Sequence, residues 1–234
     1  MRIRRHDVAV IVASMLASAL TPLAAHAQAY TSVVGKEAIP REEYKSWSLF
    51  LVTNQSWLRH ELVPAQPPTR AWGNADMVLN LYHRARTFGR VIGDDHLAVW
   101  FWKASRTLPN SASATENVDV ERAIAYCEKL KLKPSEGPYL LFTTTYPDET
   151  TPPSAFTVIA LGADARRIDQ MLTRLGDQLV TEGLVRGAAF TQPTGTDAFW
   201  SAWFDATRKA LGSLGLDFRV LTRTATLSLD SGAR

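Results

Sequence analysis

Residues 136–161 read EGPYLLFTTTYPDETTPPSAFTVIAL and contain the two strongest strand patterns of the predicted central hairpin. Two runs rich in β-branched and aromatic residues, 139–146 and 155–161, flank a segment that contains three prolines. Such runs, separated by turn-forming residues, predict two strands joined by a loop in antiparallel pairing. A helix pattern begins directly afterwards, at Asp164. The stretch therefore predicts a hairpin at the centre of an α/β domain.

Two further runs, 46–53 and 96–103, are apolar on both faces when read as strands. A strand with two apolar faces is buried on both sides, so these runs predict central strands of a sheet. Apolar residues at helical spacing predict four helices, at residues 75–92, 118–132, 164–182 and 196–214. Residues 216–229 are expected to add one strand, followed by a frayed tail at 230–234.

In chain order, the elements of residues 45–183 are strand, helix, strand, helix, strand, strand and helix. This order resembles the thioredoxin-like superfamily, which implies parallel pairing of the first strands and an antiparallel last pair. Pro138, directly before the third strand, stands where such folds carry a cis-proline. The predicted fold class is therefore α/β, a thioredoxin-like β-α-β-α-β-β-α three-layer core with a C-terminal helix and strand extension.

Cysteine usage separates this chain from the redox members of that superfamily. Those members carry Cys-x-x-Cys between the first strand and the first helix, whereas residues 53–58 here read TNQSWL. The single cysteine, Cys127, cannot form an intramolecular disulfide. It falls at an apolar position of a predicted helix and is expected to be an inert buried thiol. The resemblance therefore implies architecture alone, with no redox chemistry and no cofactor.

The N-terminus has the pattern of a secretory signal peptide. Three arginines among the first five residues precede a mostly apolar run at 8–23, and small residues at Ala25, Ala27 and Ala29 fit a cleavage site. The run is short and interrupted by polar residues, so it would span a bilayer poorly. We expect residues 1–27 to be removed, no membrane insertion after cleavage, and a periplasmic or secreted protein.

The remaining chain is divided into a flexible lead-in at 28–44, the core at 45–183 and a helix/strand extension at 184–234. The extension is expected to pack on the same domain, because the length suits one sizeable core. Without the three arginines and one aspartate of the signal segment, 23 basic and 22 acidic residues remain. A net charge this close to zero indicates no nucleic-acid partner.

Aromatic residues mark the candidate contact surface. The irregular segment 54–74 carries Trp57, His60 and Trp72, and loops of this length inside a domain are often functional. With Pro138 beside it, this segment is expected to bind a protein partner in the periplasm. Trp200 and Trp203 of the last helix leave two alternatives open. Either the helix is wedged between the sheet and the C-terminal strand, or one aromatic edge is exposed as a partner site.

Signatures of catalysis are absent from the sequence. It contains no Gly-x-Ser-x-Gly motif, and His96 after two aspartates lacks the spacing of a metal site, so no metal is expected. The predicted function is an exported, non-redox binding or accessory protein of the cell envelope. One alternative is an exported hydrolase that uses Asp, Glu or His residues of segment 54–76. Another is a structural subunit of an envelope assembly.

Overall fold

The structure is a computed structural model that describes residues 31–34, 37–41, 44–54, 85, 87–93, 95–103, 114–161, 165–185, 196–214, 219–224 and 228–232. The predicted signal peptide and most of the segment 54–74, including its aromatic residues, lie outside this described part. Within it, no helix is long and apolar enough to cross a membrane.

A seven-stranded mixed sheet forms the centre of the described part. Its strands are β1 (Thr31–Val34), β2 (Ser46–Leu51), β3 (His96–Phe101), β4 (Tyr139–Thr143), β5 (Phe156–Ala160), β6 (Arg219–Arg223) and β7 (Ser228–Gly232). Their order across the sheet is β1-β3-β2-β4-β5-β6-β7. β3 pairs in parallel with both β1 and β2, and every pairing from β2–β4 onward is antiparallel. The predicted antiparallel hairpin is therefore confirmed as β4 and β5.

Four helices are numbered here as α1 (Ala114–Asn117), α2 (Val120–Lys129), α3 (Ala165–Thr181) and α4 (Asp197–Gly212). Residues 87–92 form a further helical segment, which ends at Gly93 with a φ of 147°. The Asp119 carboxylate accepts from the Arg122 backbone N–H at the start of α2, and the Thr196 hydroxyl accepts from the Phe199 N–H at the start of α4. These bonds satisfy donors that the first turn of a helix leaves free. The predicted α/β class is confirmed as a mixed sheet with helices.

Helices cover both faces of the sheet. On one face, the segment 87–92, α3 and α4 enclose a core in which Phe50 and Trp100 stack with ring centroids 4.7 Å apart. On the other face, α2 packs Tyr126 and Leu130 against residues of β2, β3 and β4. β2 and β3 are buried at every position, which confirms their prediction as central strands.

The structure differs from the sequence prediction at both ends of the described chain. Within 28–44, expected to be a flexible lead-in, β1 pairs with β3, and Ile39 is buried. At the C-terminus, one strand and a frayed tail were expected, but β6 and β7 form a hairpin in which Leu221 pairs with Asp230. The strand expected at 216–229 contains β6, whereas β1 and β7 are the two edge strands of the sheet. Short edge strands lack the two-faced apolar pattern that marks a central strand, so the sequence pattern does not reveal β1 and β7.

Candidate functional site

The end of β2 meets the loop before β4, and this junction is the candidate site. Thr53 follows β2, and its hydroxyl donates a 2.7 Å hydrogen bond to the carbonyl oxygen of Pro134. The Gly137–Pro138 peptide bond is cis, as the resemblance implies. The carbonyl oxygen of Pro138 accepts a 2.8 Å bond from the Leu161 backbone N–H at the end of β5. Three neighbouring strands thus hold this junction in place.

The accessible surface of the junction comes from the chain on either side of Pro138. Pro138 itself is buried, whereas Asn54 and Ser135 are exposed. Gly137 is half-buried, so its backbone contributes to the same surface. Trp57, His60 and Trp72 lie outside the described residues, and their placement relative to Asn54 stays a prediction. Pro138, which is predicted to be a contact residue, is therefore buried, and its expected place on an accessible surface is corrected.

Trp200 and Trp203 do not contribute to any contact surface, because both indoles are buried. Their exposed fractions are 0% and 1%. The Phe142 ring of β4 lies 3.7 Å from the Trp203 ring in a stacked arrangement and 5.9 Å from the Trp200 ring, centroid to centroid. Of the two alternatives, burial of the aromatic side chains is confirmed, and the expectation of an exposed aromatic edge is corrected. α4 packs against α3 and against β5, β6 and β7 of the sheet, and its outer face, with Asp205 and Lys209, is exposed.

Cys127 is buried on α2, as the sequence predicts. Burial, with a smaller contribution from the neighbouring Glu128 carboxylate, raises the pKa of its thiol to about 12. The thiolate is the nucleophilic form of cysteine, so this thiol is unreactive at neutral pH. It therefore has no place in the chemistry of the candidate site.

His96 is a buried neutral histidine. Its Nδ1 lies 2.8 Å from the Ser46 hydroxyl, and its ring packs against Phe88 and stacks on Phe142. Burial lowers its pKa to about 3, because no counter-charge compensates the lost hydration of the imidazolium. No group of three or more His, Cys, Asp or Glu side chains suited to a metal ion occurs among the described residues.

Sequence reasoning missed a cleft of about 670 Å³ between α2, residues 37–39 and residues 146–150. There, Arg122 Nε donates a 2.8 Å bond to Glu149 Oε2, and Nη2 contacts Glu149 Oε1 and donates to the Glu37 carbonyl oxygen at 2.9 Å. The guanidinium lies 4.5 Å over the Phe101 ring. These residues are far apart in the chain and share no motif, so nothing in the sequence indicates that they lie together in the fold. Their contacts fix the β4–β5 loop and the N-terminal segment onto α2.

Comparison with protein-family models, with curated proteins and with solved structures found no match to this chain. No role is therefore transferred to any residue from a relative. The assignment of function depends on the geometry of the described residues and on the sequence.

Proposed function

We propose that this chain is an exported, non-redox binding or accessory protein of the cell envelope, with a thioredoxin-like core and a protein partner. The observation that carries the proposal is the strand order β1-β3-β2-β4-β5, in which two parallel pairings are followed by two antiparallel ones. Of these pairings, the superfamily resemblance of residues 45–183 implies the parallel pairing of β2 with β3 and the antiparallel pairing of β4 with β5, whereas β1 precedes that core. β6 and β7 lie beyond it, as an extension of the same sheet.

The non-redox part of the proposal follows from the chemistry of the one thiol. The end of β2 carries Thr53 and Asn54 where redox members of the superfamily approach their first cysteine. Cys127 lies on α2, in the core between that helix and the sheet. A single inaccessible thiol supports neither a dithiol cycle nor nucleophilic attack. We therefore propose that this fold binds a partner and carries out no redox reaction.

The contact surface that we propose is formed by Asn54, Ser135 and Gly137, which lie at the junction around the buried Thr53 and Pro138. In open α/β sheets, ligands favour the carboxyl ends of the strands, and β2 ends here. Asn54 and Ser135 supply exposed polar groups, and Trp57, His60 and Trp72 follow Asn54 in the sequence. Aromatic side chains surrounded by polar groups are the usual composition of a protein-binding hot spot.

Export is proposed from the N-terminal sequence alone. A basic start, an apolar run and a small-residue cleavage site are together the pattern of a secretory signal. The near-neutral charge of the remaining chain supports a protein partner over a nucleic acid. We therefore place the protein in the periplasm, with secretion as the alternative.

A crosslinked pull-down of the tagged protein from its native periplasm tests this function, with mass spectrometry as the readout. We expect one dominant protein, and we expect the double variant Trp57→Ala/Trp72→Ala to lose it while keeping the wild-type circular dichroism spectrum. Thr173→Ala, at an exposed position of α3, is the matched control and should recover the partner as wild type does. Recovery of a clean monomer without a specific protein would contradict the proposal. Equal recovery with the double variant would move the contact surface elsewhere.

A further inference from the structure

The two faces of the sheet are covered unequally by the described helices. The segment 87–92, α3 and α4 all pack on one face. The other face is covered by α2, whose ten residues extend about 15 Å and which packs over β2 and β3. Beyond the end of α2, over β4 to β7, this face contains a cavity of about 340 Å³. A volume of this size is at the lower end of the range for small-molecule sites.

The floor of this cavity is apolar. Val158 and Ala160 of β5 are two residues apart and therefore point to the same face, and Leu221 of β6 is paired with Val158. Leu132, after α2, and the Tyr139 ring complete the apolar lining. The Tyr139 hydroxyl donates a 2.6 Å bond to the Lys133 carbonyl oxygen, which fixes the ring as a wall. The floor suits a compact apolar group.

Three cations line the same cavity: Lys131, Lys133 and Arg223. Lys131 and Arg223 form no ion pair with a residue in the described part of the chain. The Arg223 guanidinium makes only a 3.5 Å contact with the Leu130 carbonyl oxygen and lies 5.9 Å over the Phe156 ring. Lys133, by contrast, is paired with Glu136 at 3.0 Å. Lys131 and Arg223 are therefore the charges at this cavity that a bound anion could neutralise.

The backbone at Lys131 supports a role for its side chain. Lys131 has a φ of 60°, the left-handed conformation that a helix end usually gives to glycine. The Leu132 N–H bonds the Cys127 carbonyl oxygen at 2.9 Å, and the Lys131 N–H bonds the Glu128 carbonyl oxygen at 3.0 Å. Helix α2 thus ends in a hydrogen-bonded motif that usually has glycine at its left-handed position, and in this protein that position is Lys131. A residue held in an unfavourable conformation is a reason to look for a function of its side chain.

The geometry points to a binding site for a small amphipathic carboxylate. Its apolar body would lie on Val158, Ala160 and Leu221, and its carboxylate would bind Lys131 and Arg223. Two acids, Glu136 and Asp230, also line the cavity, and Glu136 is paired with Lys133. The site requires a compact body because the cavity is small. The proposed site binds a free small molecule, and this proposal does not depend on the proposed protein partner.

Isothermal titration with two pairs of probes tests this site: phenylpropionate and hexanoate, each against its neutral amide. We expect each acid to bind about tenfold or more tightly than its amide, because a charge-assisted bond is lost with the carboxylate. Arg223→Gln and Lys131→Gly should each remove that preference. Lys45→Gln is the control, since Lys45 is exposed and pairs with Asp95 away from the cavity. It should bind as wild type does.

Lys131→Gly separates a binding defect from a folding defect. Glycine adopts a positive φ at no steric cost, so this variant should melt at the wild-type temperature or above while binding the acids more weakly. Loss of binding with unchanged or raised melting temperature supports the site. Equal binding of acid and amide, wild-type binding by both variants, or no saturable binding of either acid would overturn it.

Discussion

The Thr53 hydroxyl occupies the space that a side chain at position 137 would need. A Cβ added to Gly137 would lie 2.2 Å from Thr53 Oγ1 and 3.1 Å from two carbons of the Tyr139 ring. The hydroxyl is itself held by its 2.7 Å bond to the Pro134 carbonyl oxygen. The end of β2 and the loop before β4 are therefore in direct contact, and glycine is the residue that permits it.

We expect Gly137→Ala to destabilise the protein by about 1–3 kcal/mol, the usual cost of forcing an extra methyl group into a packed site. Equilibrium unfolding in urea measures this change. Gly212→Ala, at the end of α4, is the matched control. A Cβ at Gly212 meets nothing within 4 Å, so this variant should be as stable as wild type or slightly more stable.

A double-mutant cycle with Thr53→Ala tests whether the hydroxyl is the obstacle. Thr53→Ala alone should cost about 1 kcal/mol through its lost hydrogen bond. In the Thr53→Ala background, Gly137→Ala should cost less than it does in wild type, because the closest clashing atom is gone. Additive effects of the two substitutions would show that the clash is relieved in another way.

The sequence reveals the parts of this fold in which local pattern and burial agree. The runs 139–146 and 155–161 are apolar and β-branched because β4 and β5 are buried, and the periodic helix 164–182 matches α3 closely. The predicted helix 118–132 begins two residues later, because Val118 forms a bridge with Trp102 and Asp119 caps the helix. The bridge between Val118 and Trp102 is a tertiary contact that no local pattern encodes, and it keeps Val118 out of the helix.

The candidate sites were less accessible to sequence reasoning. Pro138 was identified because its position before a strand has a structural meaning. Arg223 and Lys131 were not, because their shared cavity arises from a strand and a helix end that lie 92 positions apart in the chain. Trp200 is a predicted partner residue because composition alone does not distinguish a helix that buries all its large aromatic side chains from a helix with an exposed aromatic edge.

Acid should destabilise the protein through His96. The pKa of His96 is about 3 in the folded protein and near its usual 6.5 when unfolded, so the unfolded chain binds one more proton between these values. The contribution of His96 is complete above pH 6.5. It is lost as the pH falls toward 3, at about 1.4 kcal/mol per pH unit. Urea unfolding at a series of pH values should show this slope.

The variant Ser46→Ala/His96→Phe isolates the effect of this histidine. Phenylalanine retains a ring to stack on Phe142, and removal of the Ser46 hydroxyl avoids leaving a buried polar group without its partner. Below pH 6, the stability of this variant should fall less steeply than that of wild type. Parallel pH profiles would mean that the pKa of His96 is the same in the folded and the unfolded protein.

Cys127 should react with a thiol reagent only when the protein opens. With its pKa raised to about 12, the thiolate fraction at pH 8 is on the order of a thousandfold below that of a free cysteine. We expect slow labelling by a disulfide reagent in buffer and fast labelling in denaturant. Cys127→Ala should match wild type in an insulin-reduction assay, with no activity in either. Rapid labelling of the folded protein would contradict the burial of this thiol.

The Arg122–Glu149 ion pair should stabilise the protein more than an exposed pair does. The two side chains are 14% and 30% exposed, and two guanidinium nitrogens contact the two carboxylate oxygens. A double-mutant cycle of Arg122→Gln and Glu149→Gln should give a coupling energy of about 1–2 kcal/mol in urea unfolding. The bond from Arg122 to the Glu37 carbonyl oxygen is lost in both variants that lack Arg122, the single and the double, so its contribution cancels in the cycle.

Lys45 and Asp95 provide the matched comparison for that cycle. Their side chains lie 2.6 Å apart but are 69% and 48% exposed, so water and salt screen their attraction. The cycle of Lys45→Gln and Asp95→Asn should give a coupling energy within error of zero. High salt should weaken the Arg122–Glu149 coupling only partly, because burial limits screening. Equal coupling in the two cycles would mean that the bidentate contact does not hold the β4–β5 loop against α2.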